Sequence, residues 1–222
     1  MSATSRVRRR ATVGWRGRIR ARYGDERSEQ GAVLIEAAFV LPVLLLLIFG
    51  MIEFGLVFKD SLTLSEMVEA GARVGSELGN QSTGLSSTPP VFSTDYEILT
   101  AVMAASHPLN ATIQYVTIFE ATATDGTVPA ACSGANPSSQ TGVCNVYMPI
   151  VLDNLGATQP PGFDDSAWAP SSRNVTEESG GPTYLGVYIS AVHSSVTGIV
   201  PGGAIHLSDT AVMRLEPQSF DQ

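Results

Sequence analysis

Hydrophobic positions fall along this chain as one dense block followed by shorter periodic stretches. From Ala37 to Phe58, Glu53 is the only ionisable side chain in 22 residues. At ~1.5 Å rise per residue such a block makes a helix of about 33 Å, against roughly 30 Å of bilayer hydrocarbon. It predicts a membrane-spanning helix. Helical spacing continues through Asp60–Leu78, where Leu62, Met67, Val68 and Val74 are apolar and Glu66, Glu69 and Arg73 are charged. Glu69 and Arg73 stand at i, i+4 in the favourable order. The Asn80–Gly84 run predicts the end of this helix.

Beyond it the pattern changes from one long element to several short ones. Gly84–Pro90 is a linker by composition. Thr94 and Glu97 have capping-box spacing, and Ile98, Leu99, Val102 and Met103 recur at helical intervals, predicting a helix over Asp95–Ser106. Ala111–Ala121 is rich in β-branched and aromatic residues and reads as a strand. A further strand or extended segment is expected near Val146–Val151, and two more over Tyr184–His193 and Ala204–Arg214, joined by Ser194–Gly203. Asp153–Pro182, with its prolines and glycines, reads as irregular. The expected fold class is α+β: a long N-terminal transmembrane helix, a second helix and an antiparallel sheet of three or four strands. The corresponding segments are a leader (1–31), the transmembrane and extended N-terminal helix (32–79), a linker (80–93) and an exported α+β domain (94–222).

Charge gives the span a direction. The net charge of −8 divides into nine arginines against three acidic residues over 1–31, a net of +6, and four basic against eighteen acidic residues over 32–222, a net of −14. Basic flanks remain cytoplasmic, so the N-terminus is expected inside and the C-terminal domain outside. A basic arm also suits nucleic acid, but a membrane span directly after it favours the topological reading, and no nucleic-acid partner is expected. The apolar stretch is too long for a signal-peptide h-region and no A-x-A-like site follows it, so the anchor is read as retained. The two cysteines, Cys132 and Cys144, fall in the part expected outside, where an even count suggests one disulfide. A free-thiol pair is the alternative. A zinc site is disfavoured because no histidine stands at ligand spacing.

Carboxylates in lipid are costly and so mark function. Glu36 lies at the cytoplasmic mouth of the span, five residues after Gly31. A cut between Gly31 and Ala32 would create an α-amine able to neutralise Glu36 of a neighbouring subunit; otherwise Glu36 simply rests among headgroups. Pro42 removes one backbone donor, which predicts a mild kink or, as the favoured alternative, a proline tolerated in the transmembrane helix. Glu53 is near the outer end, either reaching the interface or making a lateral contact with a partner helix. Gly71, Gly75 and Gly79 recur every four residues as a small-residue stripe for close helix packing, or as a weak stretch that frays.

The segment Gly31-Ala-Val-Leu-Ile-Glu36-Ala-Ala-Phe-Val-Leu-Pro42, with Phe49-Gly50-Met-Ile-Glu53-Phe54-Gly55 and Glu69-Ala-Gly71-Ala-Arg73, resembles the TadE-like family. The resemblance covers roughly Gln30–Ser76, and the ending Val212–Pro217 is similar to that of actinobacterial members. It implies a pilin-like fold, membrane anchoring, a candidate prepilin-peptidase cut between Gly31 and Ala32, and a part in assembling a tight-adherence (Flp-type) pilus or related secretion system. The implied partners are the bilayer, other pilus assembly proteins, pilin-like subunits and the peptidase. Pilin-like substrates often carry an aromatic directly after the Glu, whereas Ala37 and Ala38 precede Phe39 here.

Catalytic signals are weak. His193 with Ser194, Ser195 and Asp209 could be drawn as a triad, but there is no Gly-x-Ser-x-Gly elbow, and His193 follows a strand-like alternation. No Walker A, dinucleotide fingerprint or His-Glu-x-x-His helix occurs, and no cofactor is expected. Asp164, Asp165 and Arg173 could pair locally or bind calcium, although Asp153, Asp164 and Asp165 do not match an EF-hand loop. The leading expectation is a non-enzymatic assembly component. The alternatives are an uncleaved single-pass protein with an outer ligand-binding domain, and a membrane-tethered hydrolase.

Overall fold

The computed structural model describes residues 19–81, 93–122, 126–157, 160–176, 180–198 and 203–216, with side chains described from Gly31 onward. Most of the basic leader, the 82–92 part of the linker and residues 199–202 between the last two expected strands lie outside the described residues. The elements in chain order are helix α1 (Ile19–Leu78), helix α2 (Thr94–Ala105), strand β1 (Thr112–Ala121), strand β2 (Cys144–Tyr147), the short helix α3 (Pro149–Leu152), strand β3 (Tyr184–Ser194) and strand β4 (Ala204–Arg214). The fold is α+β, a long N-terminal apolar helix followed by a small antiparallel sheet in the order β2-β1-β3-β4.

By its internal contacts the chain divides between Phe49 and Gly50, within α1. On the N-terminal side the helix continues through Pro42. From Val33 to Phe49 its large apolar side chains are all exposed, at 43% or more of their surface. An apolar surface of that length, uncovered by protein, needs a nonaqueous solvent around it.

On the C-terminal side α1 has an inward face. Leu64, Met67, Val68 and Ala72 are buried with Ile98, Leu99 and Val102 of α2 against Val116 and Ile118 of β1 and Leu185, Val187, Ile189 and Ala191 of β3. The strand residues alternate, as a sheet with one covered face requires. Gly71 and Gly75 sit where the packing is tightest. A Cβ on Gly71 would come within 2.7 Å of a Val102 methyl, and one on Gly75 within 2.9 Å of Ile98 and Leu185 methyls. These glycines thus admit side chains of α2 and β3 from the same chain. Gly79, at φ +63°, ends the helix in the left-handed conformation, its N–H bonded to Gly75 O at 3.1 Å.

The opposite face of the sheet is closed by the Cys132–Cys144 disulfide, which packs with Phe119 and Ala121. Phe119 pairs directly across from Gly186 of β3, and its ring lies over that glycine.

Three sequence expectations are corrected. The Thr94–Glu97 capping box is absent: Ser93 is the N-cap residue with no side-chain cap bond, and the Thr94 hydroxyl instead donates to Gln81 O at 3.0 Å. The extended segment expected up to Val151 stops at Tyr147, because Pro149, with fixed φ and no N–H, opens a helical turn. Arg173 pairs neither with Asp164 nor with Asp165 but with buried Asp95 at the start of α2, at 2.6 Å. Asn145 and Tyr147 also donate to Asp95, at 2.8 and 2.7 Å, and the guanidinium stacks 4.1 Å over Trp168. Burial beside that carboxylate pushes the Tyr147 phenol well above its ordinary pKa. Asp164 is instead bonded by Ser166, whose hydroxyl first and whose N–H, at 2.9 Å, second lower its carboxyl below the usual range.

Because the ideal Cβ of residue 186 falls 2.3 Å from a Phe119 ring carbon, Gly186→Ala must displace the ring. It is expected to destabilise the domain by about 1–3 kcal/mol, read as a lower urea midpoint of the full chain in detergent micelles.

Candidate functional site

The inward face of α1 changes character toward the membrane end. Leu64, Met67 and Val68 are apolar, but Asp60 and Glu53, spaced i, i+7 on the same face, are buried carboxylates. The sheet answers with a polar end. On β3 the inward alternation Leu185, Val187, Ile189, Ala191 ends at His193, which is buried.

His193 lies between the two carboxylates. Its Nδ1 is 2.7 Å from Asp60 Oδ2, and its Nε2 is 3.4 Å from Glu53 Oε1. An ionised Asp60 accepts, so this arrangement requires the ring proton on Nδ1. Asp60 Oδ1 accepts the Asn110 N–H at 2.9 Å, tying α1 to the segment that enters β1. Glu53 is bound from the turn after β3: Oε1 accepts the Val196 N–H at 3.1 Å, and Oε2 accepts the Thr197 N–H at 3.0 Å and the Thr197 hydroxyl at 2.8 Å. Beyond Asp60 on α1, the half-buried margin of the same seam carries a bond from the Ser65 hydroxyl to Asp209 of β4.

Chemically, the cluster hydrogen-bonds two carboxylates where the apolar helix enters the domain. An unpaired buried carboxylate would cost several kcal/mol; here each has at least two donors. The drawn triad is not assembled: the imidazole faces Asp60 and Glu53, while Asp209 is engaged by Ser65.

The remaining predicted residues lie apart from this cluster. Gly31, Ala32 and Glu36 lie within α1, Ala32 and Glu36 exposed, and the space beside Gly31 is open. Cys132 and Cys144 form the disulfide on the far face of the sheet. Sequence spacing does not bring Asp60 and His193 together, since 133 residues separate them. The available signal was the i, i+7 spacing of Glu53 and Asp60 on a face that continues as Met67.

Among the described residues one apolar helix, Gly31–Leu78, is long enough to cross a bilayer, which suggests a membrane anchor, and an antiparallel α+β domain follows it. The family model described as TadE-like protein matches residues 31–73, a stretch that holds the apolar block, Glu53, Asp60 and Gly71. No curated protein and no solved structure matches the chain. The TadE-like region and the apolar helix together support a membrane-anchored protein related to Tad-type pili.

Asp60→Ala leaves His193 and the Asn110 N–H without their buried acceptor. It is expected to lower stability by about 1–3 kcal/mol, whereas Glu66→Ala at an exposed position stays within ~0.5 kcal/mol. Pulse proteolysis across a urea series checks both.

Proposed function

We propose that this chain is a minor pilin or pseudopilin that takes part in assembling a tight-adherence pilus, acting from the membrane through α1. The observation that carries the reading is the TadE-like match over residues 31–73, coincident with an uncovered apolar helix. The leader, with nine arginines, stays cytoplasmic, and the domain after the span, rich in acidic groups and holding the disulfide, is exported. A prepilin peptidase cuts between Gly31 and Ala32. The new Ala32 ammonium then meets Glu36 of an adjacent pilin-like subunit, so that each charge is neutralised at the mouth of an apolar helix array. No group of this chain is assigned a catalytic role.

The second reading, an uncleaved anchor with a ligand-binding outer domain, draws on a cleft of about 490 Å³ on the outer sheet face, lined among others by Tyr115, Tyr188, Ser190 and His206.

Co-expression with a prepilin peptidase, followed by N-terminal sequencing and intact mass, separates the two. The expected product begins at Ala32, and Gly31→Phe abolishes the cut. A chain that keeps its N-terminus in piliated cells contradicts processing and favours the second reading.

A further inference from the structure

Glu53 stands five residues before Phe58, the end of the apolar block, which at ~1.5 Å per residue is about 7.5 Å inside it along the helix axis. Its hydrogen-bond donors are the N–H groups of Val196 and Thr197 and the Thr197 hydroxyl. Those bonds are direct, so the turn that follows β3 is level with Glu53 along α1. It therefore lies on the membrane side of Phe58 and Lys59.

The side chains around that level are apolar and uncovered. Val196 on the turn is 69% exposed, and Phe54 and Phe58 on α1 are 76% and 66% exposed. Scattered exposed apolar residues are ordinary on a soluble surface. These three are instead continuous with the block that crosses the bilayer. Lys59, directly after Phe58, is exposed and marks where charged groups resume, as expected of a residue reaching the interface.

The polar groups of the turn are turned the other way. Both N–H groups and the Thr197 hydroxyl point into the Glu53 carboxylate, and Gly198 N–H is taken by the Ser195 hydroxyl at 3.1 Å. At this edge the N–H groups of Val196, Thr197 and Gly198 are bonded internally and Val196 faces out, which suits a nonaqueous surrounding. Glu53 likewise enters the apolar layer already hydrogen-bonded, which removes most of the cost of a carboxylate there.

We propose that the turn after β3 is a second membrane contact of this protein: Val196, beside Phe54 and Phe58, rests in the acyl-headgroup boundary of the outer leaflet and seats the exported domain directly on the bilayer. Its partner is lipid. The inference rests on the anchoring reading above, and the test separates the two.

The full chain has no free thiol among the described residues, since Cys132 and Cys144 are bonded to each other. Single-cysteine variants can therefore carry an environment-sensitive nitrobenzoxadiazole label. Val196→Cys retains the backbone N–H that binds Glu53, and the side chain it replaces is exposed, so folding is preserved. Leu46→Cys reports the anchor. Glu216→Cys reports the opposite end of the domain: it is exposed, and its N–H bonds to Ser76 O, 23 residues along α1 from Glu53. Each variant is reconstituted in phosphatidylcholine vesicles containing lipid nitroxides placed near the headgroup or in mid-chain.

The expected result is loss of emission at Val196, stronger with the headgroup-proximal nitroxide, with strong mid-chain quenching at Leu46 and none at Glu216. An unquenched Val196 beside a quenched Leu46 overturns the second contact and leaves the anchor intact. An unquenched Leu46 overturns both. Equal quenching at Val196 and Glu216 also overturns the proposal, because the domain would then lie on the membrane without the turn being its point of contact.

Discussion

The structure depends on the burial of two carboxylates, Glu53 and Asp60, on the helix face that enters the C-terminal α+β domain. A helix carrying this apolar block can reach the membrane without a domain attached. What it cannot do cheaply is carry acidic groups into its own packing interface unless the partner element supplies donors. β3 and the turn after it supply them through His193, Val196 and Thr197, and the start of β1 adds the Asn110 N–H. The seam is therefore polar toward the membrane and apolar away from it, and the two halves stabilise different things. Leu64, Met67, Val68 and Ala72 join the hydrophobic core. The carboxylates fix which register of α1 against the sheet is allowed, since a slide by one turn would leave each without its donors.

This division links the anchor to the proposed role. A protein that acts through its anchor helix needs the C-terminal half of that helix and the domain after it to hold together. The two-glycine approach at Gly71 and Gly75, the apolar seam and the buried imidazole make α1 part of the domain's core from Asp60 onward. At the other end the chain closes back on the same helix: Ser76 donates to Arg214 O at 2.6 Å, and its own carbonyl accepts the Glu216 N–H at 3.1 Å.

Much of the fold was legible because it rests on local patterns. The span follows from an apolar block of membrane length, α2 from its helical spacing, and β1, β3 and β4 from β-branched and aromatic runs. The disulfide was suggested by an even cysteine count in a segment expected outside the membrane. The misreadings came from competition by distant groups. Thr94 had capping-box spacing with Glu97, but the Gln81 carbonyl took its hydroxyl. Arg173 had acidic neighbours in sequence, yet Asp95, aligned by Asn145 and Tyr147, was the buried partner. The Asp60–His193 pair has no local signature: each residue taken alone looks like a solvent-exposed polar group. Only the meeting of α1 with β3 gives them a function. The same holds for Glu53, whose neighbours in sequence are all apolar and whose donors lie more than 140 positions away.

The most direct test of this account is a double-mutant cycle on the pair that joins helix and sheet. Asp60→Asn, His193→Gln and the double variant would be compared with the parent chain by urea unfolding in micelles. A buried, mutually satisfied pair predicts strong non-additivity, with a coupling of about 1–3 kcal/mol. Additivity within ~0.5 kcal/mol would contradict the account, since Asp60 and His193 would then stabilise the protein independently.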